Sequence, residues 1–326
     1  MNRLPYSIVD VFSTVPYKGN PLAVVTNTTD SLTKPQMQLI ARQFNLSETT
    51  FVCPPTKPSA IYRLRSFLPN GEEVFGAGHN SLGAWWYIIN SQLLQREDIS
   101  GSNVYHQELG DDVLPVEVSG STQTQLNITM RQGGTQFLDK HPNKSTLANA
   151  LGINPSDIGF EYDQKILSEP QVVTTSPARH LLVPVRDKQV LDRIDFSDSE
   201  ALSRELAKTN SYNSGIYAFT LVNSEENILK LEARFMSPGM GNEDPATGSA
   251  AGPLAALLFK NGIIDHADGG KAEIQVVQGM KKGRRCVMDL TVHKDSGSDM
   301  VDIRISGTAV LVAEGNIAIP PVGVGF

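Results

Sequence analysis

The sequence predicts an α+β fold made of two similar halves, and three observations support this. A chain of 326 residues suits two domains of ordinary size better than one. Alternating apolar stretches typical of strands are mixed with helical patterns in both halves. Finally, "LRSFLPNGEEVFGAGHNSLGA" and "EARFMSPGMGNEDPATGSAAG" follow one plan: a strand, a proline, an acidic glycine-rich loop and a small-residue helix. We expect a pseudo-twofold to relate the two halves.

In the first half, aliphatic alternation on both sides of a Pro/Gly/Asn turn at 16–21 predicts two strands. Met37, Ile40, Ala41 and Phe44 recur at helical spacing and predict a helix. The other elements predicted here are strands at "SETTFVC", "AIYRLRSFLP", about 113–118 and about 124–131, and a buried helix at "GHNSLGAWWYIINSQLL".

The second half repeats this alternation of strands and helices. The stretch 136–178 is the least patterned, with "TLANALG" as a candidate helix. The predicted strands are "ARHLLVPV", "GIYAFTLVN", "LKLEARFMSP", "AEIQVVQG", "CVMDLTVH" and "VDIRISGTAVLVAEG", and the predicted helices are "SEALSRELAKTN" and "GSAAGPLAALLFKNG". We place the domains at 1–132 and 133–313, with a tail of about 314–326 that returns to the first.

Composition and charge narrow the class of function. The net charge is −7 and the densest basic run is "KKGRR", so nucleic acid and anionic membranes are not expected partners. The start of the chain has no signal-peptide pattern, and no apolar stretch reaches the ~20 residues of a membrane span. Two distant cysteines, Cys53 and Cys286, give no disulfide framework, so we expect a cytoplasmic protein.

The two matched loops predict an anion site. An offset of 170 places Gly248-Ser249 on Gly78-His79, each pair at the start of a predicted helix. Helix starts offer free backbone N–H groups and the positive end of the dipole, and glycine permits close approach. One such loop is more simply a capped turn. Two matched loops favour a grip on a small carboxylate.

Three titratable groups are candidates for chemistry. His79 is an imidazole that titrates near neutral pH, and Asp244 directly precedes the second Gly-polar pair. Each is also a reasonable helix cap. Glu48 stands at a loop-to-strand boundary, where burial would raise its pKa and suit it to proton transfer, although an exposed strand-start glutamate is the simpler interpretation.

The sequence lacks the motifs of common cofactor and metal sites. There is no P-loop, no complete Gly-x-Gly-x-x-Gly fingerprint and no His-Glu-x-x-His, and the histidines form no ligand spacing. We therefore expect no cofactor and no metal.

Several motifs along the chain resemble one family, the PhzF-like proteins of phenazine biosynthesis, which have the diaminopimelate epimerase-like fold. The most specific motif is "DPATGSAAGPLA", which carries Asp244 and Ser249. The others are "DVFSTVPYKGNPLAVV", "NLSETTFV", "RSFLP…E…GH…LGA", "QGMKKGR" and "ISGTAVLVAEG".

The resemblance implies two domains, each a mixed sheet or barrel around a central helix, with the site in a cleft between them. It implies a cytosolic homodimer and an isomerase that moves a proton on a small unsaturated or cyclic carboxylate without a cofactor. The family's catalytic positions fall on Glu48, His79, Asp244 and Ser249. Its substrate-binding positions fall on Asn20, Gly78, His79, Gly248 and Ser249.

Two departures from related patterns are visible. Racemases of this fold use two cysteines where His79 and Ser249 stand, so a two-thiol mechanism is excluded here. The loop from Pro69 to His79 is one residue longer than the family's usual spacing, and Asn80-Ser81 replaces the more common Pro-Thr or Ala-Thr, which affects the pocket wall. The alternative to an isomerase is a non-catalytic protein that binds small anions or regulates on the same fold.

Overall fold

The computed structural model describes residues 2–76, 78–94, 102–120, 125–212, 214–225, 228–239, 241–264, 271–294 and 301–325. The chain divides into two compact units. Unit 1 comprises Met1–Met130 and Ser306–Phe326, and unit 2 comprises Arg131–Ile305.

Both units are built mainly from strands. The helices are α1 (Lys34–Phe44), α2 (His79–Asn90), α3 (Lys144–Ala150), α4 (Lys188–Arg193), α5 (Ser199–Ala207) and α6 (Gly248–Lys260). The strands up to the unit boundary are β1 (Arg3–Val11), β2 (Asn20–Thr26), β3 (Glu48–Cys53), β4 (Tyr62–Phe67), β5 (Glu73–Val74), β6 (Asn103–Leu109), β7 (Asp112–Ser119) and β8 (Asn127–Arg131). The later strands are β9 (Gln136–Lys140), β10 (Phe160–Tyr162), β11 (Lys165–Leu167), β12 (Gln171–Thr174), β13 (His180–Pro184), β14 (Ile216–Glu225), β15 (Ile228–Met236), β16 (Glu243–Asp244), β17 (Lys271–Gln278), β18 (Cys286–Lys294), β19 (Val301–Gly307) and β20 (Ala309–Ala318).

The sheet of unit 1 runs in the order β20, β1, β2, β3, β4, β6, β7, β8, and β5 pairs with β4 beside β6. Two of these neighbours, β2–β3 and β4–β6, are parallel, and the rest are antiparallel. Parallel neighbours need a crossover connection. Helix α1 lies in the first crossover and α2 in the second.

Unit 2 repeats this topology. Its sheet runs β9, β12, β13, β14, β15, β17, β18, with β16 beside β17 on β15. The parallel pairs are β13–β14 and β15–β17, and their crossovers carry α4 with α5, and then α6. The two similar α+β halves are thus confirmed by the matching orders β20 to β7 and β9 to β18, while the pseudo-twofold between them stays a prediction.

Each unit has one apolar helix buried along most of its length. Helix α2 is buried from His79 to Ile89 and packs on β1, β2, β3 and β20. A Cβ on Gly83 would lie 2.6 Å from a Val11 methyl carbon and 2.7 Å from one of Leu22, so glycine permits this close approach. Helix α6 packs in the same way on β12, β13 and β18 of unit 2. These helices start at the two Gly-polar pairs and fix where those pairs lie.

The C-terminal segment returns to unit 1 earlier than the predicted position of about 314. The reason is the pairing of β20, which runs antiparallel along all of β1, from Ala309 opposite Val11 to Ala318 opposite Arg3. Beyond the strand, the Gln36 side-chain amide donates to the Pro320 carbonyl at 2.6 Å.

Several elements differ from the sequence prediction. Strand β6 and helix α4 were not predicted, and the predicted strand over 301–315 is two strands separated at Thr308, whose carbonyl accepts the Phe12 N–H at 2.7 Å. Strand β8 begins at Asn127, and the predicted start at about 124 lies outside the described residues. The unpatterned stretch 136–178 contains β9 to β12 and the helix α3, as its "TLANALG" pattern suggested.

Among the described residues, no helix is both long and apolar enough to cross a membrane.

Candidate active site

Glu48 and His79 form a close pair in unit 1. Glu48 Oε2 lies 3.0 Å from His79 Nε2, and the side chains are 20% and 8% exposed. Burial raises the pKa of the Glu48 carboxyl from 4.5 to about 7. Near neutral pH this carboxyl is therefore divided between its two protonation states, which a group that both takes and returns a proton requires.

Local sequence places Glu48 at the edge of the sheet. Helix α1 ends because Asn45 adopts the left-handed conformation, with φ of 52°, and the chain then turns into β3, whose first residue is Glu48. Leu22 of β2 lies opposite Glu48 in the parallel ladder. Asn20, the fully buried first residue of β2, therefore lies at the same edge of the sheet. The predicted residues Asn20, Glu48 and His79 all belong to unit 1.

In the loop before α2, side chains of the protein already bind the groups that could contact a ligand. Gly78 donates its N–H to Asn80 Oδ1 at 3.0 Å, and Asn80 Nδ2 donates to Ser66 Oγ at 3.0 Å. Ser66 in turn shares a hydrogen bond of 2.9 Å with Thr50. The backbone N–H of Gly78 was expected to hold a ligand carboxylate. In this structure Asn80 occupies it, so Asn80 would have to turn away before that N–H could bind a ligand.

The loop before α6 is organised around Asp244. Thr247 Oγ1 donates to Asp244 Oδ2 at 2.7 Å. Gln278, fully buried, donates from Nε2 to the Asp244 carbonyl at 2.7 Å and accepts the Thr247 N–H at 3.1 Å. Asp244 therefore has a structural role in holding this loop, and any part in chemistry is additional to it.

The "QGMKKGR" motif packs against the same loop and holds it in place. Gly279 follows Gln278 with φ of 90°, and a Cβ there would lie 2.8 Å from the Pro245 carbonyl oxygen. Glycine is thus required both by the backbone conformation and by the close approach to the loop. The motif fixes Gln278 where it contacts Asp244 and Thr247.

The start of α6 presents Ser249. Its Oγ lies 2.9 Å from His180 Nε2, and His180 Nδ1 lies 3.3 Å from Ser214 Oγ. Burial lowers the pKa of His180 to about 4, so this imidazole is neutral near pH 7. Among the described residues, the backbone N–H groups of Gly248 and Ser249 have no hydrogen-bond partner. This end of α6 therefore offers two N–H groups to a small anion, with the Ser249 hydroxyl beside them.

Tyr217 adds a buried phenol near Asp244. It is 0% exposed, and both its burial and the nearby Asp244 charge raise its pKa. Tyr217 therefore stays neutral.

Each loop is anchored by a matching ion pair. Arg65 of β4 holds Glu73 of β5 through two hydrogen bonds of 2.7 and 2.9 Å. Arg234 of β15 holds Glu243 of β16 through two of 3.0 and 2.5 Å. The sequence offset that pairs Glu73 with Glu243 thus corresponds to equivalent contacts in the two units.

The predicted residues divide between the units: Asn20, Glu48, Gly78 and His79 belong to unit 1, and Asp244, Gly248 and Ser249 to unit 2. The sequence analysis did not identify His180, and it assigned Asn80 only to the pocket wall. His180 is distant in sequence from Ser249, so no local pattern connects them. Asn80 carried a signal that could have been used, since Asn and Asp side chains commonly accept backbone N–H groups at helix starts.

In the ranges that the structure describes, no group of three or more His, Cys, Asp or Glu side chains is arranged to hold a metal ion.

A family model described as phenazine biosynthesis-like protein (PhzC-PhzF) matches residues 9–315. The chain belongs to this family. It is 33% identical to an uncharacterized isomerase of Mesorhizobium japonicum, over 98% of this chain and 100% of the relative. It is also 29% identical to the trans-2,3-dihydro-3-hydroxyanthranilate isomerase of Pseudomonas fluorescens, over 96% and 99% of the two chains. The family is one whose curated relatives are named isomerases.

Solved structures confirm the fold. A PhzF-family phenazine biosynthesis protein of Bacillus anthracis superposes with a TM-score of 0.82 at 26% identity, covering 98% of this chain and 100% of that one. A probable proline racemase of Agrobacterium radiobacter shares the fold alone, with a TM-score of 0.60 at 11% identity over 98% and 94% of the chains. The predicted diaminopimelate epimerase-like α+β fold is thereby confirmed.

Proposed function

We propose that this PhzC-PhzF family member is a cofactor-independent isomerase that moves a proton on a small unsaturated or cyclic carboxylate, with Glu48 as acid and base. The observation that carries the proposal is the Glu48–His79 pair, 3.0 Å apart, together with the raised pKa of Glu48. An ordinary exposed glutamate would stay ionised at pH 7 and could not return a proton efficiently.

In the proposed reaction, ionised Glu48 removes a proton from a carbon of the conjugated system. The same group, now protonated and in exchange with solvent, delivers a proton to another carbon, so no net proton is gained or lost. His79 Nε2 lies 3.0 Å from Glu48 Oε2 without the alignment of a hydrogen bond, so its proposed part is to orient this carboxyl by charge attraction at short range. The donors of His79 also stabilise charge that develops as the proton moves.

Unit 2 supplies the proposed carboxylate grip. The N–H groups of Gly248 and Ser249 and the Ser249 hydroxyl are suited to a carboxylate because all three are donors. Asp244 orients the loop that carries them through its bond to Thr247. Asn20, Gly78 and His79 are the other proposed substrate-binding residues, and the Gly78 N–H could bind a ligand only after Asn80 turns away from it.

The test follows solvent deuterium into substrate. The purified chain is incubated in deuterated water with trans-2,3-dihydro-3-hydroxyanthranilate, the compound named for the Pseudomonas relative. Glu48→Gln is expected to reduce exchange about 10²- to 10⁴-fold, the usual contribution of a general acid or base, while ligand binding persists. The exposed Glu72→Gln serves as the matched control and should exchange like the wild type.

The outcome separates the isomerase from the alternative of a non-catalytic anion-binding protein. Binding without exchange, over a panel of aromatic and dienyl carboxylates, supports the binding protein. Exchange that survives Glu48→Gln refutes the role of Glu48.

The proposal also includes a cytoplasmic homodimer as its working assembly. Both cysteines are buried and free, which suits a reducing compartment. Light scattering coupled to size exclusion tests the dimer directly, and a monomer at micromolar concentration refutes it.

A further inference from the structure

The Ser249 hydroxyl belongs to a chain of hydrogen bonds that runs into the interior of unit 2. Ser249 Oγ contacts His180 Nε2 at 2.9 Å, His180 Nδ1 contacts Ser214 Oγ at 3.3 Å, and Ser214 Oγ accepts the Arg179 N–H at 2.9 Å. His180 and Ser214 are only 6% and 5% exposed. Water therefore has little access to these two groups, so their protons must be donated to other members of this hydrogen-bonded series.

Two arrangements of protons are possible. In the first, Ser214 donates its O–H to His180 Nδ1, and His180 donates its Nε2–H to Ser249. In the second, Nδ1–H donates to Ser214, and Ser249 donates its O–H inward to Nε2. The two arrangements give Ser249 opposite roles, because only the first leaves its O–H free to point toward a ligand.

Hydrogen-bond accounting at Ser214 decides between them. Among the described residues, Ser214 Oγ has two partners, the Arg179 N–H, which can only donate, and His180 Nδ1. In the second arrangement the buried Ser214 O–H has no acceptor, and a buried donor without a partner costs about 1–3 kcal/mol. In the first arrangement the O–H without a protein acceptor is that of Ser249, which is partly exposed and can donate to solvent or to a ligand.

His180 does not serve as a general base for Ser249. A base works best with a pKa near the working pH, whereas burial lowers the pKa of His180 to about 4. Its ring also packs edge-on against Phe235, with centroids 4.9 Å apart, which fixes its orientation. A neutral imidazole in a fixed orientation is suited to hold a hydroxyl in place.

We propose that His180 is a positioning residue that donates Nε2–H to Ser249, so that the Ser249 hydroxyl points outward as a hydrogen-bond donor for a carboxylate oxygen of the ligand. This inference rests on the proposed function for its ligand class. It predicts selectivity for ligands with an acceptor at this position, since a neutral donor group there would face the Ser249 O–H.

The first test identifies the protonated nitrogen. Proton–nitrogen correlation spectra of the imidazole rings at pH 7.5, assigned by comparison with His180→Gln, should show His180 protonated at Nε2. Protonation at Nδ1 overturns the proposal. This result does not depend on which reaction the protein catalyses.

The second test measures the affinity for anthranilate, a simple aromatic carboxylate, by calorimetry. His180→Phe keeps a ring against Phe235 but donates nothing, and should weaken binding about tenfold. His180→Gln places an amide nitrogen near the position of Nε2 and should stay within about threefold of the wild type. In a Ser249→Ala background, His180→Phe should have no further effect.

The outcomes separate the two hypotheses. Equal affinity of His180→Phe and the wild type, or a tenfold loss that persists without the Ser249 hydroxyl, overturns the positioning role and leaves Glu48 untouched. Deuterium exchange that survives Glu48→Gln refutes the proposed reaction and leaves the His180 result standing. Absence of anthranilate binding by the wild type overturns the assignment of Ser249 to a carboxylate. Thermal unfolding of each variant shows whether it remains folded.

Discussion

Glu48 is held in a state that favours proton transfer at the expense of stability. Its pKa rises from 4.5 to about 7 because burial penalises the charged carboxylate. The folded state therefore binds this proton more tightly than the unfolded state does. The stabilising contribution is complete below pH 4.5 and is lost as the pH rises toward 7.

Removing the Glu48 carboxylate should stabilise the folded protein at basic pH. At pH 8 we expect Glu48→Gln to have an unfolding free energy up to about 3 kcal/mol higher than the wild type, since one pKa unit corresponds to about 1.4 kcal/mol. It should therefore unfold at a higher temperature. The difference should shrink to near zero at pH 4.5. Thermal unfolding followed by circular dichroism between pH 4.5 and 8 measures it.

A pH-independent difference would contradict this expectation, because only a titrating group gives the slope. The exposed Glu72→Gln is the control and should show no such slope.

The contribution of His180 to folding stability has the opposite dependence on pH from that of Glu48. Its pKa falls from 6.5 to about 4, so the unfolded state takes up the proton first as the pH decreases. Its contribution is complete above pH 6.5 and is lost between pH 6.5 and 4. We expect the unfolding free energy of the wild type to fall relative to His180→Gln by up to about 3 kcal/mol over this range. Urea unfolding at pH 7 and pH 4.5 tests the prediction, and parallel pH curves would contradict it.

At this scale the sequence indicates residue types more readily than contacts. Glu48, His79 and Ser249 are predicted from their positions at element starts and from the family resemblance, and their roles stay a prediction. The His180–Ser249 contact could not be found that way, because it depends on β13 and α6 lying side by side. The occupied N–H of Gly78 likewise depends on the rotamer of Asn80.

At the scale of elements, each of the two Arg–Glu ion pairs links a short strand, β5 or β16, to a long strand, β4 or β15. The linked strands come directly before helix α2 in unit 1 and helix α6 in unit 2. Arg234 is 7% exposed and also donates to the carbonyls of Leu191 and Ile194 at 2.7 and 2.9 Å. Arg65 is more exposed, and its partner Glu73 has a second cation, Lys34, at 2.9 Å. The two ion pairs have the same geometry, but replacing the arginine should cost more stability at Arg234 than at Arg65.

We expect Arg234→Lys to cost about 3–5 kcal/mol of unfolding free energy, since lysine cannot reproduce the planar fork and leaves buried acceptors unpaired. The matched change Arg65→Lys should cost about 1 kcal/mol, because Lys34 still neutralises Glu73. Urea unfolding of the two variants provides the comparison. Equal losses would show that burial and the second cation do not matter.

The two elements that the sequence did not predict, β6 and α4, were missed for different reasons. Strand β6 reads "NVYHQEL", with polar residues on most positions, and it is fixed by its pairing with β7 and with the start of β4. Helix α4 is only six residues long, too short for a periodic pattern. Long-range pairing and helix capping by Asp187, whose carboxylate accepts the Val190 N–H at 2.8 Å, determine these elements.

At the scale of the whole molecule, the internal repeat was the most informative feature of the sequence. It predicted two similar halves, and the strand orders of the units agree with that prediction. The return of the C-terminal segment to β1 was expected only from about 314, because β20 alternates too weakly to reveal where its pairing begins.

Removing this segment should unfold one unit selectively. A chain that ends at Thr308 lacks β20, so β1 loses one of its two neighbours. Trp85 and Trp86 are the only tryptophans of the sequence and both lie in α2, so their fluorescence reports on unit 1. We expect red-shifted emission from the truncated chain, with much of the far-ultraviolet dichroism retained from unit 2. Native emission would contradict the prediction.

The C-terminal strand also sets an order of events on the ribosome. Unit 2 is continuous in sequence, from Arg131 to Ile305, and has all of its residues as soon as they leave the exit tunnel. Most of unit 1 is synthesised first, but β1 is fully paired only once β20, which follows all of unit 2 in the sequence, has been made. The half that carries Glu48 is therefore completed after unit 2, although most of its residues are synthesised before those of unit 2.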